Sequence, residues 1–389
     1  MKHVQLATVP DKPLPSEPLL PSRGPSHAAL EEAAPERWQT QLQQAVRSAD
    51  GLAQALSLSE GEWAAARRAE QAGLPISVTP YYLSLADPED PNCPIRKQVV
   101  PAALEGEPTI GDLRDPLGEE AHEVAPQLVQ RYPDRVLLLV SDRCAVYCRF
   151  CTRSRMVGSG NGPQSLERLQ PALDYIRQHP EIHDVIISGG DPVMMSTARL
   201  ERIVAAVRSI ESVDTIRLAT RVPVVLPSRI TEEWTRALRP HHPLFVMTHF
   251  NHPRELTEES RAALRRLADA GFPVMNQTVL LRGVNDSVEV LTALFRGLVR
   301  ERARPYYLLQ MDPVSGMGHL RTAVQTGISL IEQLQGRLSG IALPKLILDA
   351  PGGFGKVPLS PEVIVERAPG RTRVRTYRGV EVDYFDPPS

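Results

Sequence analysis

The strongest constraint on the fold is an alternation of short apolar runs and longer amphipathic stretches that begins near residue 135. Nearly continuous apolar strands that alternate with helices predict an α/β fold in which helices cover a parallel sheet. Six such units predict a partial (β/α)6 barrel, with any site at the carboxyl ends of the strands. The strand candidates are 135–140, 184–187, 215–218, 244–247, 274–281 and 306–311. Helices are expected near 165–178, 197–210, 231–238, 257–270 and 287–301, several of them after a Ser or Thr that could cap the helix.

Composition divides the rest of the chain. Residues 1–25 mix proline, serine and charge without apolar periodicity, which predicts a disordered Pro-rich tail. Residues 26–130 are expected to form an N-terminal extension that is helical from about Glu36 to Ala72 and irregular around the prolines that follow. The partial barrel is assigned to residues 131–315, and a C-terminal segment to residues 316–389.

Charge and cysteine content bear on partners and compartment. The formal net charge is only −2, which gives no electrostatic reason to expect nucleic acid or a membrane surface as a partner. No apolar run approaches the ~20 residues that a membrane-spanning helix needs. Four cysteines in 389 residues are typical of a reducing compartment, so a cytoplasmic location is expected.

Three of those cysteines, Cys144, Cys148 and Cys151, form one compact block. Thiolates bind zinc and iron–sulfur clusters alike, but structural zinc usually takes four ligands that come as two separated pairs. The C-x3-C-x2-C spacing resembles that of the radical S-adenosylmethionine superfamily. In that superfamily three cysteines hold a [4Fe-4S] cluster, and S-adenosylmethionine binds the fourth iron. The block therefore favours a cluster, and a non-catalytic zinc-binding protein is the alternative.

The second strand candidate runs directly into Ser188, Gly189, Gly190 and Asp191. Glycines at a strand end let the backbone approach a ligand, and an aspartate can accept a hydrogen bond from an amine. Most segments of this kind are ordinary turns. Because this one follows the cysteine block by one helix, it resembles the superfamily's contact with the amino group of S-adenosylmethionine.

A second cofactor is indicated near the C-terminus, where Lys356 follows a glycine-rich turn after an apolar strand candidate at 345–348. A lysine that forms a Schiff base must be held rigidly and kept from full solvation. Taken alone, the segment is more typical of a surface hairpin with an exposed lysine. Its sequence, Asp-Ala-Pro-Gly-Gly-Phe-Gly-Lys, resembles the pyridoxal phosphate lysine segment of the lysine 2,3-aminomutase family.

The resemblance to that family covers roughly residues 75–370 and consists of several long motifs in the same order. They are the segments 79–85, 96–98, 131–139, 148–153, 223–227, 248–253, 280–286 and 304–307. The resemblance implies a radical enzyme that needs a [4Fe-4S] cluster, S-adenosylmethionine and pyridoxal 5′-phosphate. It would move the α-amino group of L-lysine to the β-carbon and give β-lysine.

Roles for single residues follow from this resemblance. Lys356 would carry pyridoxal phosphate, Arg131 would meet its phosphate group, and Tyr132 would lie beside it. Arg153 would bind the substrate α-carboxylate, for which a guanidinium fork is well suited. Asp312 and Asp349 would bind the ε-ammonium group, and two carboxylates that converge on one cation make physical sense. His249 and Gln277 match positions near S-adenosylmethionine. The alternative for each is an ordinary loop or cap residue.

The same resemblance implies partners, and the chain also departs from it. A flavodoxin or ferredoxin would supply the electron, and a homo-oligomer is expected. The better-known relatives carry further cysteines that bind zinc between subunits, but here no cysteine follows Cys151, so no structural zinc is expected. Leu309 replaces a tyrosine expected near the pyridoxal ring. Another cationic substrate, such as free arginine or a protein-bound lysine, would suit the aspartate pair equally well.

Overall fold

The computed structural model describes residues 37–72, 74–158, 160 and 162–387. The tail predicted for residues 1–25 lies outside this part of the chain. Helices occur at α1 Arg37–Gln43, α2 Ala49–Ala55, α3 Glu60–Gln71, α4 Pro80–Leu83, α5 Leu166–Gln178, α6 Thr197–Arg208, α7 Val222–Val225, α8 Glu232–Leu238, α9 Glu258–Asp269, α10 Val288–Arg300 and α11 Val324–Leu334. Strands occur at β1 Glu123–Ala125, β2 Leu128–Tyr132, β3 Arg135–Ser141, β4 Asp184–Gly189, β5 Thr215–Ala219, β6 Leu244–Thr248, β7 Val274–Leu280, β8 Ala303–Gln310, β9 Lys345–Ala350, β10 Gly355–Leu359, β11 Ile364–Ala368, β12 Arg371–Arg375 and β13 Glu381–Phe385.

A single ten-stranded sheet runs in sequence order from β1 to β10. Neighbouring strands from β3 to β9 pair in parallel, while β1, β2 and β10 are added antiparallel at the two edges. The six predicted strands are all present, and the α/β character is confirmed. β9 is a seventh parallel strand, because it pairs with β8 directly, and so the sheet continues past the expected boundary at residue 315.

The predicted helices are also present, and local sequence explains where they begin. Ser165, Thr231, Thr257 and Ser287 each accept a hydrogen bond from a backbone N–H in the first turn of α5, α8, α9 and α10. This satisfies a donor that the start of a helix otherwise leaves unpaired. Ser196 precedes α6 without such a bond.

The N-terminal extension packs on the barrel. Leu52 of α2 and Ala66 of α3 are fully buried in the same apolar cluster as Leu138 of β3 and Val246 of β6. Buried Arg96 binds Glu62 of α3, which also closes the first turn of that helix. The extension is therefore part of the structure that holds the barrel strands in place.

The C-terminal strands were not expected from the sequence. β11, β12 and β13 form a separate antiparallel sheet whose side chains are largely exposed, including Ile364, Tyr384 and Phe385. The hairpin that precedes them, β9–β10, pairs Asp349 with Lys356 across the two strands.

Candidate active site

A cavity of about 350 Å³ opens at the carboxyl ends of the parallel strands. Every residue that was assigned to a site from the sequence lines this cavity. The predicted residues that line it are Arg131, Tyr132, Cys144, Cys148, Cys151, Arg153, Ser188, Gly189, Gly190, Asp191, His249, Gln277, Asp312, Asp349 and Lys356. Most of these residues lie at or near the carboxyl ends of the parallel strands, which meet at one edge of the sheet. Arg131, Tyr132 and Lys356 come instead from the antiparallel strands β2 and β10.

The three cysteines lie in the loop after β3 and are free thiols. Burial raises the pKa of Cys144 well above its ordinary value, and the neighbouring Cys151 raises it further. Burial and the neighbouring Cys148 raise the pKa of Cys151 to about 11. Mutual repulsion of this kind requires the three sulfurs to be close, and a bound cation would relieve it.

Among the described residues, no group of three His, Cys, Asp or Glu side chains has the arrangement of a single-ion site. An iron–sulfur cluster does not require one, because each of its cysteines binds a different iron atom. The three partly buried, adjacent thiols therefore fit a cluster.

Arg221, just beyond the end of β5, was not singled out from the sequence. Its Nη1 donates to Cys148 Sγ at 2.7 Å, and its Nη2 donates to Glu255 Oε1 at 3.0 Å. Nη2 also donates to the hydroxyl of Tyr82 and to Gln98, both in the N-terminal extension. This buried network ties the cysteine loop to the extension, and only the position at a strand end could have suggested Arg221 in advance.

The Ser188–Asp191 segment serves packing more than the sequence suggests. Gly189 has φ +129°, and a Cβ there would lie 2.2 Å from the carbonyl oxygen of Ser141. A Cβ on Gly190 would lie 2.5 Å from the carbonyl oxygen of Arg143. Both glycines are thus required because the end of β4 crosses the backbone just before the cysteines.

Asp191 is fully engaged by the protein. Its carboxylate accepts hydrogen bonds from Thr220 Oγ1 at 2.7 Å, from the backbone N–H of Arg221 at 2.8 Å and from that of Val193 at 3.0 Å. Burial nevertheless raises its pKa to about 6. Asp191 therefore joins the ends of β4 and β5 behind the cysteine loop.

His249 and Gln277 line the same cavity, from the loop after β6 and from β7. Burial, helped by the charge of Arg221, lowers the pKa of His249 to about 3, so the ring is neutral. Its Nε2 is buried without a hydrogen-bond partner in the part of the chain that the structure describes. An orphaned buried nitrogen beside a cavity suits a ligand atom, as buried polar groups normally find a partner.

Lys356 lies on β10 directly opposite Asp349 on β9. Its Nζ donates to Asp349 Oδ2, and its backbone N–H donates to the hydroxyl oxygen of Tyr132 at 2.8 Å. The hairpin expected from the sequence is present, but the lysine points into the cavity and its side chain is only 28% exposed. Rigid placement and partial desolvation are the two conditions for a Schiff-base lysine.

Two carboxylates and an arginine surround the Lys356 amine. Burial and the neighbouring Asp349 raise the pKa of Asp312 to about 7, although Lys356 and Arg131 oppose this. Arg131 Nη2 lies 3.8 Å from Asp349 Oδ1, and its Nη1 donates to the carbonyl oxygen of Leu117 at 3.1 Å. This end of the cavity is thus acidic and holds a primary amine.

Arg153 lies on the side of the cysteines and is bound by Glu119, which the sequence did not indicate. Nε and Nη2 of Arg153 donate to the Glu119 carboxylate at 2.7–3.0 Å, and Nη1 donates to Ser188 Oγ at 3.1 Å. Burial would raise the pKa of Glu119, but Arg153 and Arg155 together outweigh burial and lower it. Glu119 sits in an irregular loop with another glutamate beside it, so no sequence pattern distinguishes it.

The cysteine loop and the lysine hairpin each lie in a segment that matches a known protein family. The radical SAM superfamily model matches residues 138–294, which include the cysteine loop and the Ser188–Asp191 segment. A radical SAM domain implies an iron–sulfur cluster and S-adenosylmethionine. The lysine-2,3-aminomutase model matches residues 331–389, which contain Lys356.

Comparison with curated proteins narrows the class to a family. The chain is 45% identical to an L-lysine 2,3-aminomutase of Clostridium subterminale over 90% of this chain and 84% of that protein. It is 45% identical to an L-lysine 2,3-aminomutase of Fusobacterium nucleatum over 90% of this chain and 82% of that protein. A glutamate 2,3-aminomutase of Clostridioides difficile is 41% identical over 80% of this chain and 74% of that protein. The chain belongs to the lysine 2,3-aminomutase family, and it is an isomerase.

No helix in the described ranges is both long and apolar enough to cross a membrane.

Proposed function

We propose that this enzyme is a lysine 2,3-aminomutase, which moves the α-amino group of L-lysine to the β-carbon and produces β-lysine. The observation that carries the substrate assignment is the pair Asp312 and Asp349 around the amine of Lys356. A pocket in which one carboxylate already binds a primary amine and a second lies close enough to feel its charge suits the ε-ammonium group of lysine. A substrate with a side-chain carboxylate would meet two like charges there, which costs several kcal/mol at ~4 Å with an effective dielectric constant near 20.

The distribution of charge supports one orientation of the substrate. Arg153 stands on the cysteine side of the cavity, and the aspartates stand beside Lys356. An α-carboxylate bound at Arg153 and an ε-ammonium group bound at the aspartates would stretch the substrate between the two ends. Holding both ends fixes the α- and β-carbons in one place, and such positioning can lower a barrier substantially.

Three bound groups would supply the chemistry. A [4Fe-4S] cluster held by Cys144, Cys148 and Cys151 would provide the electron for a 5′-deoxyadenosyl radical from S-adenosylmethionine, and pyridoxal phosphate would stabilise the substrate radical. His249, Gln277 and the Ser188–Asp191 segment would form the S-adenosylmethionine site. Lys356 would hold pyridoxal phosphate, and Arg131 would meet its phosphate.

Tyr132 contacts Lys356 directly. Its hydroxyl binds the backbone N–H of Lys356, and its ring lies under the guanidinium of Arg135 at 4.7 Å. It therefore supports the strand that carries Lys356. With Lys356 holding pyridoxal phosphate, Asp349 would be free to accept a hydrogen bond from the substrate ammonium group.

Partners follow from the same chemistry. A flavodoxin or ferredoxin would deliver the electron in the cytoplasm. The exposed apolar side chains of β11–β13, together with the absence of any cysteine after Cys151, support a homo-oligomer without zinc between its subunits. Leu309, which lines the cavity, stands where the family resemblance places a tyrosine near the pyridoxal ring.

Turnover with defined components tests the proposal. Protein reconstituted anaerobically with iron, sulfide and pyridoxal phosphate is given S-adenosylmethionine, a reductant and L-lysine, and the products are identified by mass spectrometry. We expect β-lysine from the unmodified enzyme and none from Lys356→Ala. No β-lysine from fully loaded enzyme would contradict the substrate assignment.

A further inference from the structure

The loop of residues 115–122, called here the bridging loop, contacts three parts of the site that the sequence assigned to different ligands. The carbonyl oxygen of Leu117 accepts from Arg131, and that of Pro116 accepts from the backbone N–H of Gly352 in the turn before Lys356. Glu119 binds Arg153. No function was predicted for this loop, yet it joins the arginine on each side of the cavity to the lysine turn.

The bridging loop is held tightly against that turn. Gly118 has φ +61°, and a Cβ there would lie 2.7 Å from the carbonyl oxygen of Gly352. A Cβ on Gly353 would lie 2.7 Å from the ring of His122 and 2.9 Å from the carbonyl oxygen of Leu117. Because the two backbones are already in contact, the loop cannot shift further to restore a contact that its side chains lose.

Glu119 leaves Arg153 with a defined set of free donors. A guanidinium group has five N–H donors. Glu119 takes the one on Nε and one on Nη2, and Ser188 takes one on Nη1. One N–H on each terminal nitrogen is left, which is the number that a carboxylate accepts from an arginine fork.

Without Glu119, the guanidinium group of Arg153 could move toward the cysteines. Cys151 and Cys144 lie close enough to Arg153 for their charge to act on it. A cluster held by these thiolates would attract a guanidinium that nothing else restrains. A free arginine side chain also regains rotamer entropy.

We infer that Glu119 is a positioning residue for substrate recognition, which fixes Arg153 so that its two remaining N–H groups meet the α-carboxylate of the substrate. This inference deepens the proposed function and rests on it for the identity of the substrate. It makes binding of the carboxylate, but not of the side-chain amine, depend on the length of the residue at position 119.

Two variants separate position from charge. Glu119→Asp keeps the negative charge but is one methylene shorter, and the bridging loop is too confined to make up the difference. Glu119→Gln keeps the length and an acceptor oxygen but loses the charge. Glu120→Asp is the matched control, because Glu120 is 60% exposed and binds Arg155 at the adjacent position in the loop.

The assay is calorimetric titration of enzyme loaded with cluster and pyridoxal phosphate, without S-adenosylmethionine or reductant, so that no turnover occurs. The ligands are L-lysine and 1,5-diaminopentane, which has both amines but no carboxylate. In Glu119→Asp we expect the Kd of L-lysine to rise at least about tenfold, equivalent to ~1.4 kcal/mol. The Kd of 1,5-diaminopentane should stay within about twofold, and Glu119→Gln and Glu120→Asp should both remain closer to the parent than Glu119→Asp does.

Each other result counts against the inference. Parent-like L-lysine affinity in Glu119→Asp would exclude positioning by Glu119. Equal losses for both ligands would indicate a general structural defect. A larger rise in the Kd of L-lysine in Glu119→Gln than in Glu119→Asp would indicate that Glu119 acts through its charge and not through its length.

A wrong substrate assignment can be distinguished from a wrong role for Glu119, because the parent enzyme would then turn over an amino acid other than L-lysine. The same variants are in that case compared with that amino acid and its decarboxylated amine, since every α-amino acid carries the carboxylate in question.

Discussion

Replacing Asp312 with asparagine should stabilise the cofactor-free protein in alkaline solution while it damages substrate binding. In the folded protein the pKa of Asp312 is raised from its usual 3.8 to about 7 by burial and by the neighbouring Asp349. Between these two pH values the folded state holds a proton that the unfolded state has lost. Stability of the parent protein therefore falls as the pH rises through this range, and it is lowest above pH 7.

The size of the effect follows from the pKa difference. Each pKa unit corresponds to 1.36 kcal/mol, so the total cost of ionising Asp312 is at most ~4 kcal/mol. At pH 5 the unfolded chain has already lost this proton, and the span from pH 5 to 7 accounts for ~2.7 kcal/mol. Because the side chain is partly exposed, solvent screening reduces this, and we expect ~1.5 kcal/mol.

Urea unfolding at pH 5 and pH 8.5 measures this directly. The free energy of unfolding of Asp312→Asn, relative to the parent, should rise by ~1.5 kcal/mol between the two conditions. Asp174→Asn, on the exposed face of α5, is the control and should show no such change. An identical difference between Asp312→Asn and the parent at both pH values would refute the assignment of a raised pKa to Asp312.

Three further predictions concern the bound groups. Lys356→Ala should lose the visible absorbance of pyridoxal phosphate but keep its iron, because the lysine hairpin and the cysteine loop are separate elements; loss of both would contradict this. Cys144→Ser should lose most of its iron and sulfide and keep the pyridoxal phosphate absorbance, and unchanged iron content would exclude Cys144 as a ligand. L-lysine should bind more tightly at pH 8 than at pH 6, because Asp312 must be ionised to attract the ammonium group, and calorimetric titration of the loaded enzyme would show the opposite trend if a protonated carboxyl were required.

The sequence predicted the sheet well because both faces of its strands carry apolar residues. Near-continuous apolar runs such as Val185–Ile187 and Leu244–Val246, short and flanked by helical patterns, favour strands of a parallel sheet, and serines and threonines at helix starts indicate the boundaries. β11–β13 escaped prediction because their side chains are exposed and mixed in polarity, so neither face has a distinctive pattern.

Site residues that belong to a sequence motif were predicted. Site residues that act by contacting another site residue were missed. Cys144 and Lys356 stand in local patterns whose chemistry is visible in the sequence. Glu119 and Arg221 reach Arg153 and Cys148 across 34 and 73 positions, and only the fold brings them together. Gly189 and Gly190 were expected to let the backbone approach a ligand. In the structure they lack a side chain because a Cβ would collide with the backbone of Ser141 and Arg143.

The most direct test of the account is a competition among amino acids. Anaerobic, fully loaded and reduced enzyme is given an equal mixture of L-lysine, L-arginine and L-glutamate, and substrates and products are followed together by mass spectrometry. The acidic pair at Asp312 and Asp349 predicts that L-glutamate is untouched, and the similarity to L-lysine 2,3-aminomutases predicts that L-lysine is converted to β-lysine ahead of L-arginine. Conversion of L-glutamate, or of L-arginine while L-lysine is spared, would contradict it.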